Sequence, residues 1–250
     1  MNITEPFSGD TLISSGEKTD PKDDDMAKES TQFDFYEFAG ILTPGAIILF
    51  GLSLIYPDLH LPGDSDKMNI ADLGLFTVLA YAAGHLIQLL GDGIEWLWWK
   101  GWGGMPTDWI HDGKRDLINP EQRTRILYQC HVLFGHKIPP EPNAPTGLKD
   151  IPMKDWSPLV REIYAAVAKA KRSDRVDAFN RTYGMLRGLV AALVVMTIVL
   201  FCKNGCAAWT NGTLILPVLA VAAAVRMHLF GRGYARELFV QFLLVKKTEI

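Results

Sequence analysis

Apolar and polar positions along the chain separate into blocks. Four blocks are apolar over lengths that suit a bilayer: residues 38–56, 70–99, 186–201 and 213–230. A crossing takes about 20 residues, with a range of about 17–25, so the first and fourth fit without strain. The third is short, but Val176, Phe179, Tyr183, Leu186 and Val190 recur at 3-4-3-4 spacing. An amphipathic helix is therefore expected to run straight into it. The second block is long. At about 1.5 Å per residue it exceeds a hydrocarbon core of about 30 Å, so it must tilt, protrude or break at Gly91-Asp92-Gly93. The pattern predicts an all-α polytopic membrane protein with four transmembrane helices and a small helical cytoplasmic insert.

The boundaries follow from the same pattern. Residues 1–32 hold eight acids and three lysines among Ser, Thr, Gly and Pro, a composition that cannot bury a core and is expected to be disordered. They contain no apolar stretch of the kind a cleavable signal peptide needs. Residues 33–100 carry the first two crossings, 101–182 form the insert, 183–230 carry the last two, and 231–250 form an amphipathic C-terminal segment. In that segment and the end of the fourth block, Leu229, Phe230, Tyr234, Leu238, Phe239, Phe242 and Leu243 predict a helix lying on the inner leaflet or packing on the insert.

Within the insert, Pro106-Thr107-Asp108 predicts a helix start with Thr107 as cap. Asn119-Pro120-Glu121 predicts a second, with a cap, a proline at the first position and an acid at the positive end. That helix is expected to stop at Gly135. Prolines at 139, 140, 142, 145 and 152 predict an extended loop. Ser157-Pro158 predicts a third helix reaching about Arg172, and Ser173 a cap for the one entering the membrane. No internal repeat is visible.

Charge sets the orientation. Residues 100–187 hold fifteen Lys and Arg, whereas loop 57–69 holds Lys67 and the loop between blocks three and four holds Lys203. Arg226 near the end of the fourth block is followed by Arg232, Arg236, Lys246 and Lys247. Cytoplasmic loops collect such residues, so the insert and both termini are expected in the cytoplasm. Trp96, Trp98, Trp99 and Trp102 would then crowd the inner interface and Trp209 mark the outer one. The net charge of −3 lacks the strongly basic balance of a dedicated nucleic-acid binder, and no nucleic-acid partner is expected.

The chemistry-bearing residues concentrate on the second block. Tyr81, His85, Gln88, Asp92 and Glu95 are spaced 4-3-4-3 and share one helical face. Ionisable groups in hydrocarbon are costly, so the stripe should face a partner helix or a wet cavity. It reads functionally as a polar path, a proton-responsive group or a hydrolytic centre. It reads structurally as ion pairs of Asp92 and Glu95 with Arg187 and Arg226, which lie at the same depth, with hydrogen bonds across the bundle for the rest. Intramembrane aspartyl chemistry needs a second deep acid, and no other block supplies one. Gly40, Pro44, Gly45 and Gly51 in the first block predict a kink and close packing.

Complete catalytic constellations are absent from the sequence. No His-Glu-x-x-His, nucleotide-binding glycine loop or Gly-x-Ser-x-Gly occurs. Cys130, His131 and His136 lack the spacing and a fourth ligand for zinc, and His111-Asp112 reads as an exposed helix pair. No metal and no cofactor are expected, and no residue is assigned a catalytic role. Cys202 and Cys206 could bond if their loop faces an oxidising compartment, or remain thiols. Residues 100–182 carry fourteen basic and ten acidic residues. Lys169, Lys171, Arg172 and Arg175 form a juxtamembrane patch that suits anionic lipid or, more specifically, an anionic ligand.

The runs Phe33-Asp-Phe-Tyr-Glu-Phe-Ala-Gly-Ile-Leu-Thr-Pro-Gly45, Tyr81-Ala-Ala-Gly-His85, Asn180-Arg-Thr-Tyr-Gly184 and Tyr234-Ala-Arg-Glu237 resemble a group of uncharacterised bacterial four-span inner-membrane proteins. The resemblance covers the spans and little of the insert, and implies a bacterial inner membrane without an activity. The expectation is a lipid-embedded homo-oligomer, with a cytoplasmic protein as candidate partner, that affects membrane permeability or signalling without being an enzyme. The alternatives are a membrane enzyme acting on lipid or peptide through His85, Asp92 and Glu95, and a subunit of a transporter.

Overall fold

The computed structural model describes residues 21–59, 69–113, 115–135, 147–205 and 214–249, with the helix but not the side chains given for 21–37. Among them the fold is all-helical, with α1 (Pro21–Ile55), α2 (Ile70–Gly101), α3 (Pro106–Asp112), α4 (Pro120–Phe134), α5 (Met153–Lys169), α6 (Asp174–Asn204) and α7 (Ile215–Phe242). Four of these helices, α1, α2, α6 and α7, include stretches long and apolar enough to cross a membrane. The chain divides into two units, Met1–Phe35 and Tyr36–Ile250.

Several element boundaries differ from the sequence pattern. Helix α1 begins at Pro21, inside the stretch expected to be disordered. Pro21 with Asp23, Asp24 and Asp25 just after Lys22 is a helix-start composition, because the proline presets φ and acids suit the positive end. Residues 1–20 lie outside the described residues. Helix α2 does not break at Gly91-Asp92-Gly93: its 32 residues are continuous, about 48 Å at 1.5 Å each. The cap of α3 is Met105, whose N–H donates to Asp108 Oδ2 at 2.9 Å, and Thr107 lies inside the helix. Helix α4 starts and stops as the pattern predicts, with Asn119 Oδ1 accepting from the Gln122 N–H at 2.7 Å and Gly135 left-handed at φ 60°.

Helix α5 starts at Met153, upstream of Ser157-Pro158, and Pro158 sits within it. The early start places Trp156 in the core at 1% exposure. That burial outweighs the one intrahelical bond that Pro158, sixth in the helix, cannot donate. It stops at Lys169, and the chain turns through Lys171, a non-glycine residue at φ 55°. Ser173 occupies the cap position of α6 without a side-chain cap bond. The amphipathic run and the third span are one helix, as expected. The C-terminal segment is no separate helix: α7 runs unbroken to Phe242.

The bundle packs through small residues. A methyl group at Gly45 would overlap the Ala80 carbonyl oxygen, and one at Gly84 the Ile41 carbonyl oxygen. Helices α1 and α2 therefore meet backbone to backbone, which glycine alone permits. Ile48 and Ile55 of α1 meet Ile87 of α2 and Ala191, Ala192 and Met196 of α6. Val190 and Leu193 of α6 meet Ala220, Ala223 and Ala224 of α7. The insert instead builds a core of large residues, in which Trp156, Ile110, Ile126 and Ile163 close around Phe239 and Phe242 from the end of α7. The rings of Trp156 and Phe239 lie parallel at 5.8 Å and 4°.

Candidate functional site

The stripe on α2 divides into two parts. Its lower part converges on Arg187, carried by α6. Arg187 Nη1 lies 2.7 Å from Glu95 Oε2 and 2.8 Å from Asp92 Oδ1. Its Nη2 donates to Gln88 Oε1 at 3.3 Å, and Gln88 Nε2 donates to the Gly40 carbonyl of α1 at 3.1 Å. Glycines make the room. A methyl group at Gly91 would press on Arg187 Cγ at 3.3 Å, and one at Gly188 would sit 2.6 Å from Gln88 Nε2.

Beside this network, Tyr183, one turn before Arg187 on α6, accepts from Trp99 Nε1 at 2.7 Å. A polar chain thus links the α1 backbone through Gln88 to Arg187 and its two acids. Glu95 is its most enclosed acid, with 15% of the side chain exposed against 59% for Asp92. Arg187 Nε is buried and finds no acceptor among the described residues. A catalytic carboxyl needs to exchange its proton with a substrate, and here Arg187 engages both.

The upper part of the stripe lies apart from this network. The rings of Tyr81 and His85 meet edge to face at 4.7 Å, and Tyr81 stacks on Phe38 of α1 at 5.7 Å. Both Tyr81 and His85 are exposed on the outside of the chain. Arg226, the other expected partner of the acids, points elsewhere: it is exposed, with its guanidinium 5.2 Å from the Phe230 ring.

The basic patch is partly spent on internal ties. Arg172 reaches Glu249 at 3.8 Å and Arg175 reaches Glu237 at 3.5 Å, so two of its four residues fasten the α5–α6 turn to the C-terminal segment. Lys169 and Lys171 are exposed.

Four further features were not legible as sites. His111 is 6% exposed, against the expectation of an exposed pair. Its Nδ1 faces Asp112 Oδ1 at 3.0 Å and its Nε2 the Ile151 carbonyl at 2.8 Å, which clips α3 to the start of α5. His228 of α7 sits among tryptophans, 4.7 Å from the ring of Trp102, 5.0 Å from Trp99, 5.7 Å from Trp109 and 6.2 Å from Trp98. Burial pushes the Cys130 thiol up to about 12, with the Glu162 charge adding to it. Burial also pushes the Tyr164 hydroxyl up to about 12, helped by the bond it donates to Asp177 Oδ1 at 2.8 Å. The tryptophan cluster had a sequence signal, but the histidine that joins it lies more than a hundred residues away.

Among the described residues, no group of three His, Cys, Asp or Glu is placed to hold a metal ion. Cys130 is buried and Cys202 exposed, both as free thiols. Cys206, His136 and Trp209 lie outside the described residues. The chain matches no protein-family model, no curated protein and no solved structure.

Proposed function

We propose that this is a multi-pass protein of a bacterial inner membrane that works as a homo-oligomer and alters membrane permeability or signalling, without enzymatic chemistry of its own. The insert and both termini lie on the cytoplasmic side in this reading. The support for that side is the Lys and Arg bias, together with the shared core of the insert and the end of α7.

The observation that carries the oligomer is His85. It stands midway along α2, a helix that qualifies as a span, and it is exposed on the outer surface of the chain. Ionisable residues within spans face a bundle interior or a water-filled cavity. One chain offers His85 neither, and a second copy set against the Phe38–Tyr81–His85 face supplies an interior. The engagement of Asp92 and Glu95 by Arg187 weighs against the acid–base alternative.

The test is light scattering of the detergent-solubilised protein together with dye release from liposomes, for wild type and His85→Leu. Wild type is expected to form a multimer and release dye, and His85→Leu to shift toward monomer and release less. A strictly monomeric wild type that leaves liposomes tight overturns the proposal.

A further inference from the structure

At the end of α2 a cavity of 420 Å³ opens between the polar network and the start of α3. Sites for small ligands have volumes of about 300–1,000 Å³. Trp96 and Trp99 form its apolar walls, Asp92, Glu95 and Asp108 supply carboxylates, and among the described residues Lys100 supplies the one lining cation. Gly103 and Gly104 make the turn that closes it, at φ 79° and 110°, and a methyl group at Gly104 would crowd Asp108 Oδ2 at 3.0 Å.

The lining has a definite charge logic. Glu95 is largely enclosed and bound by Arg187, and Asp108 caps α3 through the Met105 N–H. Asp92 keeps 59% of its side chain exposed although Arg187 touches it. With Arg187 counted behind the wall, three acids face two cations and the site retains one negative charge. Lys100 Nζ already rests 4.6 Å from the centroid of the Trp96 ring, so an ammonium is at home on this wall. The cavity therefore matches a molecule with an ammonium for the Asp92 side and an anionic group for Lys100.

The surface beside the cavity adds the third element. Trp96 lines it and is 63% exposed. On the same face of α2, Leu89 and Leu97 are 69% and 65% exposed. Between them Gly93 has nothing within 4 Å of where a methyl group would stand. This is a notch on an apolar helix face that runs directly out of a charged cavity.

We infer that this cavity binds the headgroup of an amine-bearing phospholipid such as phosphatidylethanolamine, with one acyl chain lying in the Gly93 notch. The ammonium faces Asp92, the phosphate faces Lys100, and Trp96 divides headgroup from chain. The bond is a charge-assisted one in an apolar surround, where an ammonium that can donate is favoured over a headgroup that lacks one.

The test is native mass spectrometry of the full-length protein from detergent, titrated separately with phosphatidylethanolamine, phosphatidylglycerol of the same acyl chains and soluble phosphoethanolamine. Phosphatidylethanolamine is expected to bind about ten-fold more tightly than phosphatidylglycerol, the size of one charge-assisted hydrogen bond. Asp92→Asn is expected to bring the two lipids to parity. Gly93→Leu fills the notch at an exposed position away from the network, so it retains the fold and is expected to weaken phosphatidylethanolamine binding while leaving phosphoethanolamine unchanged. Equal binding of the two lipids by wild type overturns the ammonium site. Phosphoethanolamine binding as tightly as the lipid, or Gly93→Leu without effect on lipid binding, overturns the lipid assignment.

Discussion

The spans and the insert are packed by opposite rules. Between the spans many buried positions are small, such as Ala191, Ala192, Ala220, Ala223 and Ala224 beside Ile48, Ile87, Leu193 and Met196, while Leu86, Leu89, Val218 and Val221 are 63–69% exposed. Within the insert the large residues go inside: Trp156, Ile110, Ile126 and Ile163 are at most 1% exposed. The difference follows from the solvent each half is built for. Lipid tails are as apolar as leucine, so burying leucine gains nothing and close approach of backbones decides the packing. In water the apolar area removed from solvent decides it. The two rules meet in α7, whose first half buries alanines and whose second half buries Leu238, Phe239 and Phe242.

The largest test of the contrast is Trp156→Ala. Emptying a fully buried tryptophan site is expected to cost about 3–5 kcal/mol, read as a loss in the denaturant or thermal midpoint of the insert's signal. Leu89→Ala, on an exposed face of α2, is expected to leave the midpoint in place. If both substitutions cost the same, the two halves do not differ in the way described.

Much of this architecture was legible beforehand, and the parts that were not share a cause. The four apolar blocks, the continuity into α6 and the capped ends of α4 each rest on local spacing, which is a property of neighbours in the chain. The start of α5 was hidden because Pro158 is a strong local signal, and only tertiary burial of Trp156 overrides it. The face shared by Tyr81, His85, Gln88, Asp92 and Glu95 was legible too. Its division was not, because it depends on where Arg187 lies across the bundle. Arg187 and Arg226 were equivalent in sequence, and the side chains each one meets across the bundle distinguish them. His228 joined the tryptophans and His111 reached the Ile151 carbonyl through contacts that no spacing rule encodes.

The second test concerns the polar network that lies between the spans. Arg187→Met leaves Glu95, with 15% of its side chain exposed, without its cation. A buried pair broken on one side costs about 3–5 kcal/mol, and the partial exposure of Arg187 and Asp92 lowers this to about 2–3 kcal/mol. Adding Glu95→Gln is expected to recover part of the loss, since a neutral amide needs no counter-charge. Thermal midpoints of the four proteins in one double-mutant cycle measure the coupling, and purely additive losses would mean that Arg187 and Glu95 do not act as a pair.

A smaller effect separates the halves by pH. Cys130 and Tyr164 are both outside the spans, and both are pushed up to about 12 from 9.0 and 10.0. The native state therefore keeps protons that the unfolded chain releases, and the unfolded state binds fewer of them above pH about 9. Stability must fall as pH rises through that window, from about 9 toward about 12. The fall is expected in the insert's transition, and Cys130→Ala should flatten part of it relative to its own midpoint at pH 8. At pH 8 a maleimide is expected to label Cys202, which is exposed, and to spare Cys130 until the insert unfolds. Rapid labelling of Cys130 in the native protein would remove the buried thiol from this account.

The smallest effect has the opposite sign and bears on the basic patch. Lys171 holds φ 55° in the turn joining α5 to α6, a left-handed conformation that costs an L side chain about 1–2 kcal/mol. Glycine removes that cost but loses about 0.5–1 kcal/mol of conformational entropy, so Lys171→Gly is expected to stabilise the insert by about 0.5–1 kcal/mol. The backbone gains even though a basic residue is lost, because Arg172 and Arg175 tie the turn to Glu249 and Glu237 without it. Binding of the protein to anionic vesicles is the second readout. Unchanged binding with a raised midpoint would place the patch's work in the internal arginine ties. Weakened binding with the same raised midpoint would show that an exposed lysine is kept at a strained position for the membrane surface, against its own folding preference.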